Sequence, residues 1–176
     1  MPLSDDFLIS SLQSKYIKFL IFLKDYPEFK HKQLVYFDHK EYVTPKTLDY
    51  INEIHTSKSV IIRTTPKEKK TIQDEINAAM SHPRYSTYMN KTKKFIRMKL
   101  KTKKISNHVR ICNTGLIVYI NPEKIQPMLT SIYKKCMDHK QPECQIYWAV
   151  FSQKYASQIK KISWTHLKNK RFVPLK

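Results

Sequence analysis

Nine cations fall between positions 91 and 110 of this chain: Lys91, Lys93, Lys94, Arg97, Lys99, Lys101, Lys103, Lys104 and Arg110. No carboxylate interrupts them, and the acid-free span runs from residue 76 to residue 122. Cations at this density favour polyanions, because each phosphate they neutralise releases condensed counterions. Surfaces that serve only solubility mix both signs. The chemistry on offer is phosphate binding, and the expected partner is nucleic acid, RNA or DNA. Lysine dominates the charge, with 28 Lys against 5 Arg in the whole chain. An ammonium acts as a point charge, whereas the arginine fork reads guanine edges, so little sequence specificity is expected. Tyr85, Tyr88 and Phe95 lie close by and could stack on bases; the competing assignment for each ring is core packing.

Two further constellations carry chemistry. Cys136, His139 and Cys144 fall within nine residues, and Cys112 or His166 could complete a zinc set. Structural zinc sites usually show a paired-cysteine knuckle, which this spacing matches only in part, so thiols buried in ordinary elements are the alternative. Asp38, with Glu41 nearby and His39 or Lys40 to assist, could hold a divalent ion for phosphodiester cleavage. One such pair on a loop is commonplace, and no second acidic cluster supports it. A single glycine excludes a P-loop, a dinucleotide fingerprint and a nucleophile elbow, each of which needs glycine for close backbone approach. The sequence therefore favours a binding protein without a cofactor or metal over an enzyme. The alternatives are a structural subunit of a larger viral or ribonucleoprotein assembly and, third, a metal-dependent nuclease.

At 176 residues and 41% hydrophobic content, the expectation is one compact α+β domain over residues 1–176. Its basic portion is 66–176: that stretch carries a net charge of +18, against +1 for residues 1–65. Three cysteines cannot all pair within the chain. The apolar run from Phe7 to Leu23 is broken by Ser10, Ser11, Gln13, Ser14, Lys15 and Lys18, which makes it too polar to span a bilayer and unlike a secretory signal. An intracellular compartment, nuclear or cytoplasmic, is expected, with no membrane partner.

The elements that position these groups follow from periodicity. A helix is predicted from Ser4-Asp5-Asp6 to about Lys24, apolar enough late in its length to need covering by the core or by a protein partner. Gln33–Asp38 reads as a strand, Thr44-Pro45 as a capped helix start, and Ser59–Thr64 as a β-branched strand. Thr65-Pro66 with Glu68 reads as another helix start, whose buried edge is Ile72, Ile76 and Met80. Strand, helix, strand would allow a parallel pair with a right-handed crossover. From Phe95 to Lys104, apolar and basic residues alternate, the pattern of a half-buried strand with a cationic face or a lysine-guarded edge. With His108–Cys112, an Asn113-Thr114-Gly115 hairpin loop that uses the glycine at positive φ, and Leu116–Ile120, it predicts an antiparallel meander in the later half of a mixed sheet flanked by helices. Asn121-Pro122 opens a helix to about Asp138, Gln145–Phe151 reads as a buried strand, and Ile159 with Ile162 as a short helix before a basic tail.

Overall fold

The computed structural model describes residues 6–29, 31–38, 43–54, 56–65 and 71–163. Their β-branched runs form four strands, β1 (Leu34–Phe37), β2 (Val60–Thr64), β3 (Cys112–Tyr119) and β4 (Ile159–Ile162). These make one mixed sheet in the order β1-β3-β2-β4. β3 runs antiparallel to both β1 and β2, and β2 pairs parallel with β4. The strand-helix-strand unit at the start of the chain therefore does not make a parallel pair; β1 and β2 lie on opposite sides of β3. Every residue of β2 is buried, as expected of a central strand.

Helices flank this sheet: α1 (Phe7–Phe19), α2 (Ile21–Lys24), α3 (Pro45–Glu53), α4 (Ile72–Met80), α5 (Pro83–Ser86), α6 (Met89–Lys101), α7 (Gln126–His139) and α8 (Cys144–Phe151). The architecture is α+β, as the sequence predicts. Successive strand residues point to opposite faces, and the sheet sorts its side chains accordingly. Val60, Ile62, Ile117, Tyr119 and Ile159 meet α1, α2, α7 and α8 on one face. Ile61, Leu116, Val118 and Ile162 meet Ile51 of α3 on the other.

A second helical layer lies outside α8. Ile146, Ala149 and Val150 of α8 pack on Ile72, Ile76 and Ala79 of α4 and on Met89 and Ile96 of α6. Tyr147 and Trp148, from the same helix, face the sheet cluster. α8 is thus covered on both sides, which is why its sequence is apolar almost all round. Polar bonds fix its register: the Gln145 amide donates to Glu75 of α4 at 2.9 Å and accepts from the Thr114 N–H of β3 at 3.3 Å.

Several boundaries follow from caps. The Asp6 carboxylate accepts from the Ile9 N–H at 2.8 Å to open α1, and Thr44 with Thr47 forms a reciprocal box at the start of α3. α4 opens on a Thr71–Asp74 box; Pro66 and Glu68 of the expected start lie outside the described residues. α1 ends at Leu20, whose φ of −130° interrupts the expected longer helix. Leu20, Phe22 and Leu23 are buried in the core cluster, so this stretch finds its cover within the fold.

Four further expectations are overturned. Phe95–Lys104 is no strand: most of it is the end of α6, and the predicted meander is replaced by a helix followed by the single long strand β3. Gly115 lies inside β3 rather than in a hairpin loop, and it does not have positive φ. Gln145–Phe151 is α8, and Ile159–Ile162 is β4, whose two isoleucines, three apart, enter opposite core faces. Among the described residues, no helix is long and apolar enough to cross a membrane.

Candidate nucleic-acid interface

The helix α6 forms because its apolar groups recur at helical spacing. Met89, Ile96 and Leu100, seven and then four residues apart, lie on one side with Thr92 between them. Met89, Thr92 and Ile96 are buried, and the Thr92 hydroxyl meets the Tyr147 hydroxyl at 2.6 Å inside the core. Turning about 100° per residue, the helix places Lys94, Arg97 and Lys101 within an arc of about 60° on the far side, with Lys91 and the exposed Met98 beside them. All four cations are exposed. From Lys94 to Lys101 the row spans roughly 10 Å at about 1.5 Å per residue, the reach of about three phosphates along one strand of a duplex.

The remaining predicted contacts are distributed differently. Lys93 flanks the arc and is partly buried. Lys99 leans back over the Phe95 ring, with its ammonium 5.5 Å from the centroid, and Lys135 of α7 lies 5.6 Å from the same ring. Lys103 and Lys104 continue the positive charge in the turn beyond α6, where they also complement the negative end of the helix dipole. That turn is a Schellman cap: Lys104 N–H donates to the Lys99 carbonyl and Lys103 N–H to the Leu100 carbonyl, with Lys103 at a left-handed φ of 52°. Arg110 is not on the helix. It precedes β3, donates to the Thr64 hydroxyl at 3.4 Å, and its carbonyl accepts from Lys161.

The neighbouring rings serve the fold. Phe95 packs against His139, Tyr147 and Phe151, with centroids 5.6, 6.4 and 6.2 Å away. Arg84 covers Tyr85, with its guanidinium 4.6 Å from the ring centre, and burial pushes the Tyr85 phenol up to about 12. Two groups beside the basic helix were absent from the sequence-based set: Lys154 and Tyr155, in the 3-10 segment Ser152–Gln158. Their only sequence signal is a cation next to an aromatic residue, too common to single out.

The zinc candidates do not converge. The Cys144 thiol lies 3.2 Å from the Thr114 hydroxyl, and His139 Nδ1 lies 3.0 Å from the Tyr147 hydroxyl. Cys136 is fully buried, and burial, reinforced by Cys144, pushes its thiol well up. Cys112 is pushed up to about 11 by burial. His166 lies outside the described residues. Among the described residues, no group of three or more His, Cys, Asp or Glu is placed to hold a metal ion.

Asp38 is held by other contacts. Lys18 Nζ lies 3.0 Å from its carboxylate, and the Tyr36 hydroxyl donates to the same oxygen at 2.7 Å. Burial alone would raise the Asp38 pKa; attraction by Lys18 and the bonds from Tyr36 and Lys18 bring it below the ordinary value. Its expected companions His39, Lys40 and Glu41 lie outside the described residues. Comparison with protein-family models, curated proteins and solved structures finds no match for the chain.

Proposed function

We propose that this chain binds RNA or DNA through the phosphate backbone, with little sequence specificity, using the outward face of α6. One observation carries the proposal. Lys91, Lys94, Arg97 and Lys101 are exposed along one side of a helix that holds no acid, and Lys103 and Lys104 extend the same sign past its end. Among the described residues, no ion pair joins any of these six to a carboxylate. A helix face serves this purpose as a strand face would, since the interaction depends on charge density and reach rather than on element type. The lysine excess supports backbone contact over base reading. Binding to arbitrary oligonucleotides, titrated with salt, tests it; affinity indifferent to salt or to charge reversal of Arg97 and Lys101 overturns it.

A second reading is a structural subunit of a larger viral or ribonucleoprotein assembly, docking through its N-terminal helix. Exposed Ile9 and Ile17 on α1 favour it. Sedimentation of the isolated chain tests this: concentration-dependent association that is abolished by Ile17→Glu supports docking, and a monomer at all concentrations opposes it.

A further inference from the structure

A half-open cleft of about 640 Å³ lies beside the basic helix, between the last turns of α6, the start of α7 and the end of α8. Its volume falls within the roughly 300–1,000 Å³ of small-ligand sites. Met128, Val150 and Phe151 supply apolar surface, Tyr155 adds a partly exposed ring, and Lys99, Lys104 and Lys154 supply the charge. Among the described residues, no carboxylate lines it. This combination suits one chemistry, a flat aromatic group carrying a phosphate. The apolar surface and ring would take the flat group, and the ammonium groups the anion.

One wall is held in place. Gln153 accepts from the Ser106 N–H at 2.8 Å and donates to the Ser106 carbonyl at 3.0 Å, and its amide also donates to the Ala149 carbonyl at 2.9 Å. The turn carrying Lys104 is therefore tied to the segment carrying Lys154 and Tyr155. Lys104 lines the cleft and belongs to the turn that carries the positive charge past the end of α6, whereas Lys99 lines it from the flank of α6 turned away from Lys94, Arg97 and Lys101. A strand that follows the cationic row on past Lys101 would reach the mouth of the cleft at Lys104.

We infer that the cleft receives one unpaired base of a single-stranded nucleic acid, stacked against Tyr155, while Lys99, Lys104 and Lys154 hold the adjoining phosphates. The inference rests on the nucleic-acid proposal above and narrows it: the preferred ligand is single-stranded. A base still paired in a duplex cannot enter, because its faces are already stacked and its edge is turned inward.

The test uses the full chain and three probes measured by fluorescence anisotropy at low salt: an oligothymidylate of about eight nucleotides, an abasic strand with the same number of phosphates, and free thymidine monophosphate. The oligothymidylate is expected to bind about tenfold tighter than the abasic strand. Tyr155→Leu, which keeps apolar bulk on the core side, should remove most of that difference and leave abasic binding unchanged. With 4-thiothymidine in the strand, light-induced cross-links should map to Tyr155 or to its cleft neighbours, a readout on the unaltered chain. Equal binding of the two strands, or cross-links confined to the outward face of α6, overturns the base site while leaving phosphate binding intact. If the monophosphate binds as tightly as the strand, the site serves a free nucleotide and the polynucleotide assignment falls. If neither strand binds, nucleic-acid binding falls and the base site with it.

Discussion

The ammonium of Lys18 lies 3.0 Å from the carboxylate of Asp38, and only 2% of the lysine side chain is exposed against 40% of the aspartate. The pair joins α1 to the end of β1. Burial opposes the charge on Lys18, but Cys144, Asp38 and Glu143 around it more than offset that, so its pKa lies above the ordinary lysine value. The ammonium also stands 4.8 Å from the centre of the Tyr36 ring. A buried charge of this kind depends on its counterion.

Removing the counterion alone should therefore cost more than removing both charges. Asp38→Asn is expected to destabilise the fold by about 2–3 kcal/mol, somewhat below the range for fully enclosed pairs because Asp38 is partly open to water. Lys18→Met with Asp38→Asn should recover most of that loss in urea unfolding. Because the folded pKa of Asp38 is depressed, its contribution is present above the ordinary value of 3.8 and is lost as the pH falls through the lowered value.

Glu143 has the opposite sign. Its side chain accepts from the Gln145 N–H at the start of α8, but burial, followed by repulsion from Glu75, raises its pKa above the ordinary 4.5. An acid whose folded pKa is raised costs stability as the pH climbs through that value. Glu143→Gln keeps an acceptor for the Gln145 N–H and removes the charge. Its thermal midpoint at pH 7 is expected to exceed that of the parent, and the two should converge below about pH 4.

Charge reversal on α6 should separate binding from folding. Four phosphate contacts with a single strand predict a slope of about −3 in log affinity against log salt. Arg97→Glu with Lys101→Glu should flatten that slope by more than half and weaken binding about tenfold or more. Both side chains are exposed, so the melting temperature should hardly move.

Two lysines occupy backbone positions that favour glycine. α7 ends as α6 does: Gln141 N–H donates to the Cys136 carbonyl, Lys140 N–H to the Met137 carbonyl, and Lys140 has φ 52°. A left-handed conformation costs a residue with a Cβ about 1 kcal/mol. Lys140→Gly is expected to stabilise the fold by up to about that amount in chemical denaturation, unlike the loss that glycine causes inside a helix.

Much of the framework was legible in the chain. The β-branched run at Val60–Thr64, the Thr44-Pro45 cap and the 3.6-residue rhythm of α7 each point to one structure, and tertiary packing agrees with them. The basic helix reads as a strand in the sequence because Ile96, Met98 and Leu100 alternate with cations, while Met89, Ile96 and Leu100 also keep helical spacing. Exposure decides between the two patterns: Met98 is 54% exposed, so the alternation has no buried counterpart. β4 shows the converse ambiguity, since a spacing of three between Ile159 and Ile162 suits a helix yet also sends two strand residues to opposite faces. The candidate site was legible as charge and not as shape. The cations were apparent in the sequence, while the cleft required three distant segments to meet.

The residues of α8, CQIYWAVF, combine high β propensity, no formal charge and no proline. In the fold, two layers of neighbours hold them helical. Released from those neighbours, the same stretch has the composition of a cross-β segment, and a peptide of this sequence is expected to form thioflavin-positive fibrils. The double enclosure of α8 therefore acts as a quarantine. Variants that loosen α4 or α6 should reveal themselves first as insoluble protein on expression.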